Sequence, residues 1–195
     1  MSNMKRWICL IALVALAVPM CVHAEDKPDQ QAMMKAYMEK IQPGPQHQKL
    51  AGLAGTWNFT MTSYEDPKNP MTSTGTATST MVMDGRYLQD TTTGNMMGMT
   101  FNGTGFTGYN NVSKQYEATW IDNMGTGIMM GIGKETDPNT LTMNWTMADP
   151  MTGKNTKVKT VTKIVDANNH TFTFYTVDGG KEVKTMEIAY VRSGS

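Results

Sequence analysis

The sequence predicts an all-β domain: an antiparallel up-and-down barrel of about ten strands, preceded by a short helix. Three observations carry this prediction. From Gly55 onward Thr, Val, Phe, Tyr and Trp crowd the chain, with 28 threonines between Thr56 and Thr185. Such residues fit a pleated, half-buried surface. Apolar and polar residues then alternate in successive runs, the period-two pattern of a strand with one buried face. Finally, the links between runs are short and rich in Gly, Asn and Pro. They have no room for the crossover helix that parallel neighbours need.

Taken in order, residues 1–24 read as a cleavable signal peptide. Lys5 and Arg6 precede an apolar run from Trp7 to Val18, which Pro19 ends. Val22-His23-Ala24 offers small residues at a peptidase site, placing the cut after Ala24. The apolar run is shorter than the roughly 20 residues that span a bilayer. No stable membrane insertion is therefore expected after cleavage, and the protein is exported: periplasmic from a Gram-negative source, otherwise secreted. Cys21 offers a lipoprotein alternative, but Met20 and Pro19 suit lipid attachment poorly.

Both cysteines, Cys9 and Cys21, lie in the signal. The mature chain thus has no disulfide or thiolate chemistry. Loss of Lys5 and Arg6 leaves 15 basic against 17 acidic side chains, a net charge near −2. Nothing in this balance attracts nucleic acid.

Residues 25–53 form a helical segment ahead of the barrel. Met34, Tyr37, Met38 and Ile41 fall at i, i+3, i+4, i+7, so Gln31 to Ile41 predicts an amphipathic helix. Pro43-Gly44-Pro45 ends it, and His47 to Ala54 allows a further turn or two. Residues 54–195 form the barrel domain, with strands expected near 55–64, 71–83, 86–93, 97–109, 115–122, 127–135, 141–148, 155–166, 169–177 and 183–192. Within them Trp57, Phe59 and Met61 share a face, as do Tyr116, Ala118 and Trp120. So do Leu141, Met143, Trp145 and Met147, and Met186, Ile188 and Tyr190. Alternation alone does not separate a barrel from a two-sheet sandwich. Asn69-Pro70-Met71-Thr72 echoes Asp149-Pro150-Met151-Thr152, which is too little to argue duplication.

Leu53-Ala54-Gly55-Thr56-Trp57 carries a Gly-x-Trp after a short helix, which resembles the start of the lipocalins and their relatives. In that group the tryptophan closes one end of the barrel, under a basic residue of the last strand. The resemblance gives Trp57 and Arg192 this structural role, through a cation–π contact. A closer resemblance runs over about residues 45–192. Met96-Met97-Gly98-Met99, Gly108-Tyr109-Asn110, Thr119-Trp120-Ile121-Asp122, Asp149-Pro150-Met151-Thr152-Gly153-Lys154 and Met186-Glu187-Ile188-Ala189-Tyr190 are similar to the bacterial domain of unknown function 1579. That family is lipocalin-like (calycin-type) and has no settled activity, so the resemblance implies a fold and no reaction.

Catalytic constellations are poorly represented. The mature chain has two histidines, His47 and His170, and no Gly-x-Ser-x-Gly. Glu117 and Asp122 fall on opposite faces of one strand, and Glu187 lies opposite Met186 and Ile188. With the last strand in the other register, Glu187 would point inward and pair with Arg86. The glycine-rich stretches Gly103-Thr104-Gly105 and Gly125 to Gly133 lead into no helix and cannot cradle phosphate by a helix N-terminus.

Seventeen of the 20 methionines survive cleavage, and 14 of these lie in the β region. Methionine fills irregular cores. It also lines adaptable apolar pockets. Inward-facing Trp57, Phe59, Met61, Trp120, Met143, Trp145, Phe172 and Phe174 would make such a pocket for a small apolar ligand: a lipid, an isoprenoid or an aromatic compound. No cofactor is required for this reading, which favours a binding protein over an enzyme. An enzymatic barrel of unknown reaction is one alternative, and two more follow from particular residues. Thioethers of Met96, Met97 and Met99 suit copper(I). By analogy with lipocalin-like barrels that hold haem through one histidine, His170 is a candidate axial ligand.

Overall fold

The computed structural model describes residues 29–96, 98–149 and 152–194. The expected signal peptide, Met97 and Met151 lie outside them. Ten strands form one closed antiparallel barrel: β1 (Gly55–Ser63), β2 (Met71–Val82), β3 (Tyr87–Met96), β4 (Met99–Asn110), β5 (Gln115–Asp122), β6 (Met129–Asp137), β7 (Thr140–Asp149), β8 (Lys154–Ile164), β9 (Asn169–Asp178) and β10 (Lys181–Arg192). Each strand pairs with its sequence neighbours, and β1 pairs with β10, from Trp57–Arg192 to Ser63–Met186. The sandwich alternative is excluded, because closure leaves no unpaired edge.

Register carries one face of every strand inward. The Phe59–Gly75, Gly75–Gly94, Tyr116–Gly133, Gly133–Met143, Met143–Thr160 and Thr160–Phe174 pairs trace that face around the wall. Aromatic side chains lie against glycines on the neighbouring strand. A Cβ added at Gly103 would sit 2.2 Å from the Trp120 ring, one at Gly131 2.4 Å from the Trp145 ring, and one at Gly75 2.4 Å from the Phe59 ring. The strand glycines therefore mark close packing. Trp145 is also held by its Nε1–H, which donates to Thr160 Oγ1 at 2.9 Å. Gly131→Ala is accordingly expected to lower unfolding free energy by about 1–3 kcal/mol through overpacking. A urea midpoint unchanged from wild type would show that the Trp145 ring yields.

Two helices precede the barrel, α1 (Gln30–Ile41) and α2 (Pro45–Gly52). Asp29 caps α1 through its side chain, and Pro45 opens α2 at the position where a missing N–H costs nothing. Helix α2 plugs one end of the barrel. Its Leu50 packs with Leu88, Tyr116, Ala118 and Met143. Its buried His47 accepts from the Gly44 N–H through Nδ1 at 2.9 Å and meets Tyr109 edge-on. Burial holds the His47 imidazole below its ordinary pKa. Helix α1 departs from expectation. It forms over the predicted residues, but Met34, Tyr37, Met38 and Ile41 are exposed and none of its residues is buried. The helix stands away from the wall, tied to it by Asn111, whose Nδ2 donates to the carbonyls of Lys40 and Gln42.

Candidate functional site

The plugged end is built around Trp57 and Arg192. Trp57 is 2% exposed, and Arg192 Cζ lies 4.1 Å from its ring centroid. Arg192 donates three further hydrogen bonds: Nη1 to Ala54 O at 2.7 Å, Nη2 to Gly52 O at 3.0 Å and Nε to Ala167 O at 2.9 Å. Two of these acceptors lie at the C-terminus of α2, where a cation is favoured. Trp57 Nε1–H donates to Leu53 O at 2.9 Å. Gly55 has φ 142°, and a Cβ there would stand 2.2 Å from Arg192 Nη1. The Gly-x-Trp thus serves the arginine as much as the tryptophan.

All eight aromatic and methionine residues expected to line a pocket lie on the inward face of the register. They divide into two sets. Trp57, Phe59, Met61 and Met143 are sealed in packed core. Trp120, Trp145, Phe172 and Phe174 keep partial accessibility inside a closed wall. Of these, only Trp145 packs against a core cluster; Trp120, Phe172 and Phe174 belong to neither. Trp120 is oriented by its Nε1–H, which donates to Asp122 Oδ2 at 2.9 Å. At the end opposite α2, Met96, Met129, Met147 and Met186 also face inward and are partly accessible. Among the described residues no helix covers this end.

Two depressions lie on the outside of the molecule. One, of about 460 Å³, lies over β10, β1 and β2 and touches the inward side chains only at Phe59. The other, of about 530 Å³, lies beside the α1–α2 link.

The copper candidates are brought together only in part. Met96 and Met99 are cross-strand partners at the β3–β4 hairpin, Met99 being 51% exposed, and Met97 lies outside the described residues. The haem candidate is placed differently from a solvated turn residue. His170 stacks on Tyr190 at 4.4 Å and meets the Trp57 ring edge-on at 4.4 Å. Burial, with a smaller contribution from Arg192, brings its pKa down to about 4. Its Nδ1 is buried without a hydrogen-bond partner.

The carboxylates follow the first of the two registers considered. Glu117 faces outward and accepts from Asn110, and Asp122 faces inward. Glu187 pairs with Lys184 at 3.1 Å; the Arg86 pairing is not formed, and Arg86 lies 3.7 Å from Asp84 instead. Glu135 bridges the barrel and α2. It accepts from Tyr116 Oη at 2.5 Å and from Lys49. Burial raises its pKa, but those two hydrogen bonds and the lysine charge bring it below the ordinary range.

Asp90 was overlooked by the sequence reasoning. It lies on the inward face of β3, opposite Ser79 of β2 and Gly105 of β4. Ser79 Oγ donates to its Oδ1. Among the described residues no other group bonds this carboxylate. Burial raises its pKa to about 6, against the smaller lowering effect of the Ser79 bond. The period-two rule held the signal: Asp90 is two residues from Leu88, an obvious inward residue.

Solved structures with the same fold include Rv2717c from M. tuberculosis, 14% identical, with TM-score 0.58 over 78% of this chain and 99% of that one. The S-type phycobiliprotein lyase CPES from Guillardia theta is 10% identical, with TM-score 0.51 over 82% and 97%. Both likenesses concern the fold, which is lipocalin-like. No curated protein matches. Residues 42–192 match the family described as "Protein of unknown function (DUF1579)", and with most of its length inside that match the chain belongs to the DUF1579 family.

Proposed function

We propose that this protein binds a small apolar ligand inside the barrel, without catalysis, after export and removal of residues 1–24. One observation carries the reading. Trp120, Phe172 and Phe174 point into a closed barrel, remain partly accessible there and belong to neither packed cluster. Large aromatic side chains left accessible on an interior face favour a guest with apolar surface. The methionines at the open end suit such a guest, since an unbranched thioether adapts to varied shapes. The other end is closed by α2 and the Trp57–Arg192 pair, which gives the lumen a floor and one entrance. That a phycobiliprotein lyase shares the fold is compatible with a barrel serving a bulky organic molecule.

The mature chain has three tryptophans, Trp57, Trp120 and Trp145, all on the inward face. Titration with lipid, isoprenoid and naphthyl probes is expected to quench or shift their emission. The change should shrink in Trp120→Phe and persist in Trp57→Phe, because Trp120 keeps accessible surface on the inward face whereas Trp57 is sealed. A flat titration across all three probe classes would count against a pocket. N-terminal sequencing of protein taken from the producing cell tests export, with Glu25 expected as the first residue.

A further inference from the structure

Among the described residues, two inward-facing oxygen-bearing side chains, Asp90 and Tyr190, keep hydrogen-bonding capacity unused. Asp90 faces inward from β3 and Tyr190 from β10, with β1 and β2 between them. The Asp90 carboxylate receives one hydrogen bond, from Ser79, and the Tyr190 hydroxyl makes none among the described residues. The two sense each other, since the Asp90 charge adds to burial in raising the Tyr190 pKa. No hydrogen bond joins them directly among the described residues. Both side chains are surrounded by the barrel, and both residues keep partial accessible surface. Tyr190 is fixed from two sides, stacked on His170 and tilted against Phe59 at 5.8 Å.

At the open rim the inward-facing Asp149 and Lys154 are cross-strand partners, and the deeper inward charges have partners of their own. Glu135 has Lys49 and Tyr116, Asp122 has Trp120, and Arg192 lies on Trp57 with three carbonyls. His170 is neutral at physiological pH. What the interior offers a guest is therefore an under-bonded carboxylate with a hydroxyl three strands away on the same inner surface.

We infer that Asp90 and Tyr190 form a polar anchor in the lumen, which selects apolar molecules bearing a hydrogen-bond-donating head, a protonated amine above all, and rejects carboxylates. This rests on the reading that the lumen takes an apolar guest, and it names the head group. A donor between the two residues bonds the free carboxylate oxygen, and the Tyr190 hydroxyl turns to suit an amine or an alcohol. An anionic head would lie against the Asp90 charge in a poorly screened interior.

Three probes with one apolar body test this: dodecylamine, dodecanol and dodecanoate, each below its micellar concentration, followed by native mass spectrometry and tryptophan emission. Wild type is expected to bind the amine at least about tenfold more tightly than dodecanoate, the effect of one charge-assisted hydrogen bond. Asp90→Asn should erase that preference while still binding dodecanol. Tyr190→Phe should weaken the amine and the alcohol together, with far-UV circular dichroism confirming that both variants fold. Equal binding of amine and dodecanoate by wild type, or a preference that survives Asp90→Asn, overturns the anchor while leaving the apolar lumen in place. Binding of none of the three by wild type overturns both.

Discussion

Asp90→Asn is expected to stabilise the protein at pH 7.5 by about 3 kcal/mol and to leave it almost unchanged at pH 4. A carboxyl held at about 6 in the fold, against an ordinary 3.8, is harder to ionise there by about 3 kcal/mol. The sign follows from proton counting. Between pH 4 and pH 6 the folded chain keeps a proton on Asp90 that the unfolded chain has lost, so stability falls as pH rises through this window. Asparagine keeps the acceptor for Ser79 and removes the charge. Urea unfolding at the two pH values is the measurement. An equal gain at both would mean that packing, not ionisation, is responsible.

His170 acts in the opposite sense. Held at about 4 from an ordinary 6.5, it binds its proton more readily in the unfolded chain. Its contribution to stability therefore rises with pH over nearly the same window. In wild type the two slopes largely offset each other. Asp90→Asn should expose the His170 slope, and His170→Phe, which keeps a ring between Trp57 and Tyr190, should expose the Asp90 slope. The exposed carboxylates Asp66, Asp137 and Asp166, all held low by local hydrogen bonds, are common to every variant and drop out of the differences. An uncompensated charge kept inside at such a cost is the pattern of a functional group, which agrees with the anchor role.

Trp57→Ala is expected to destabilise by about 3–5 kcal/mol, the range for truncating a buried tryptophan. The ring is 2% exposed and is the largest sealed side chain of the described residues. Its removal also takes the surface beneath the Arg192 guanidinium and the edge contact with His170. The Nε1–H bond to Leu53 O is lost as well, so α2 loses its link to β1. Hydrogen exchange should show residues 45–53 opening well before the strands. Trp57→Phe should cost less, about 1–2 kcal/mol, since most of the packing stays and one hydrogen bond goes. If the alanine variant unfolds at the wild-type urea concentration, the plugged end is not a unit of stability. Arg192→Lys is no gentle substitute, because a single ammonium cannot serve three carbonyls and a ring face together.

Much of this architecture can be read from local order in the chain. Strand number, antiparallel neighbours, the inward set and the helix before β1 all follow from period-two alternation, turn residues and a short i, i+3, i+4 stripe. Those signals are local because side-chain direction repeats along a strand by geometry alone. The DUF1579 motifs between Leu53 and Tyr190 likewise lie in the one-dimensional order. Closure of β1 on β10 is different: it depends on strands at opposite ends of the domain, and a sandwich fits the same alternation. Tertiary structure also decided which inward residues pack and which stay open. Phe59 and Phe174 look alike in sequence, but Phe59 lies on Gly75 in a sealed cluster while Phe174 is only half-buried and belongs to neither cluster. The exposed stripe of α1 shows the same limit, since an amphipathic pattern does not say whether a partner surface lies within reach. Asp90 and Tyr190 are 100 residues apart. Only the barrel brings them onto one inner surface, three strands apart, where burial and unused hydrogen-bonding capacity turn two ordinary side chains into a candidate site.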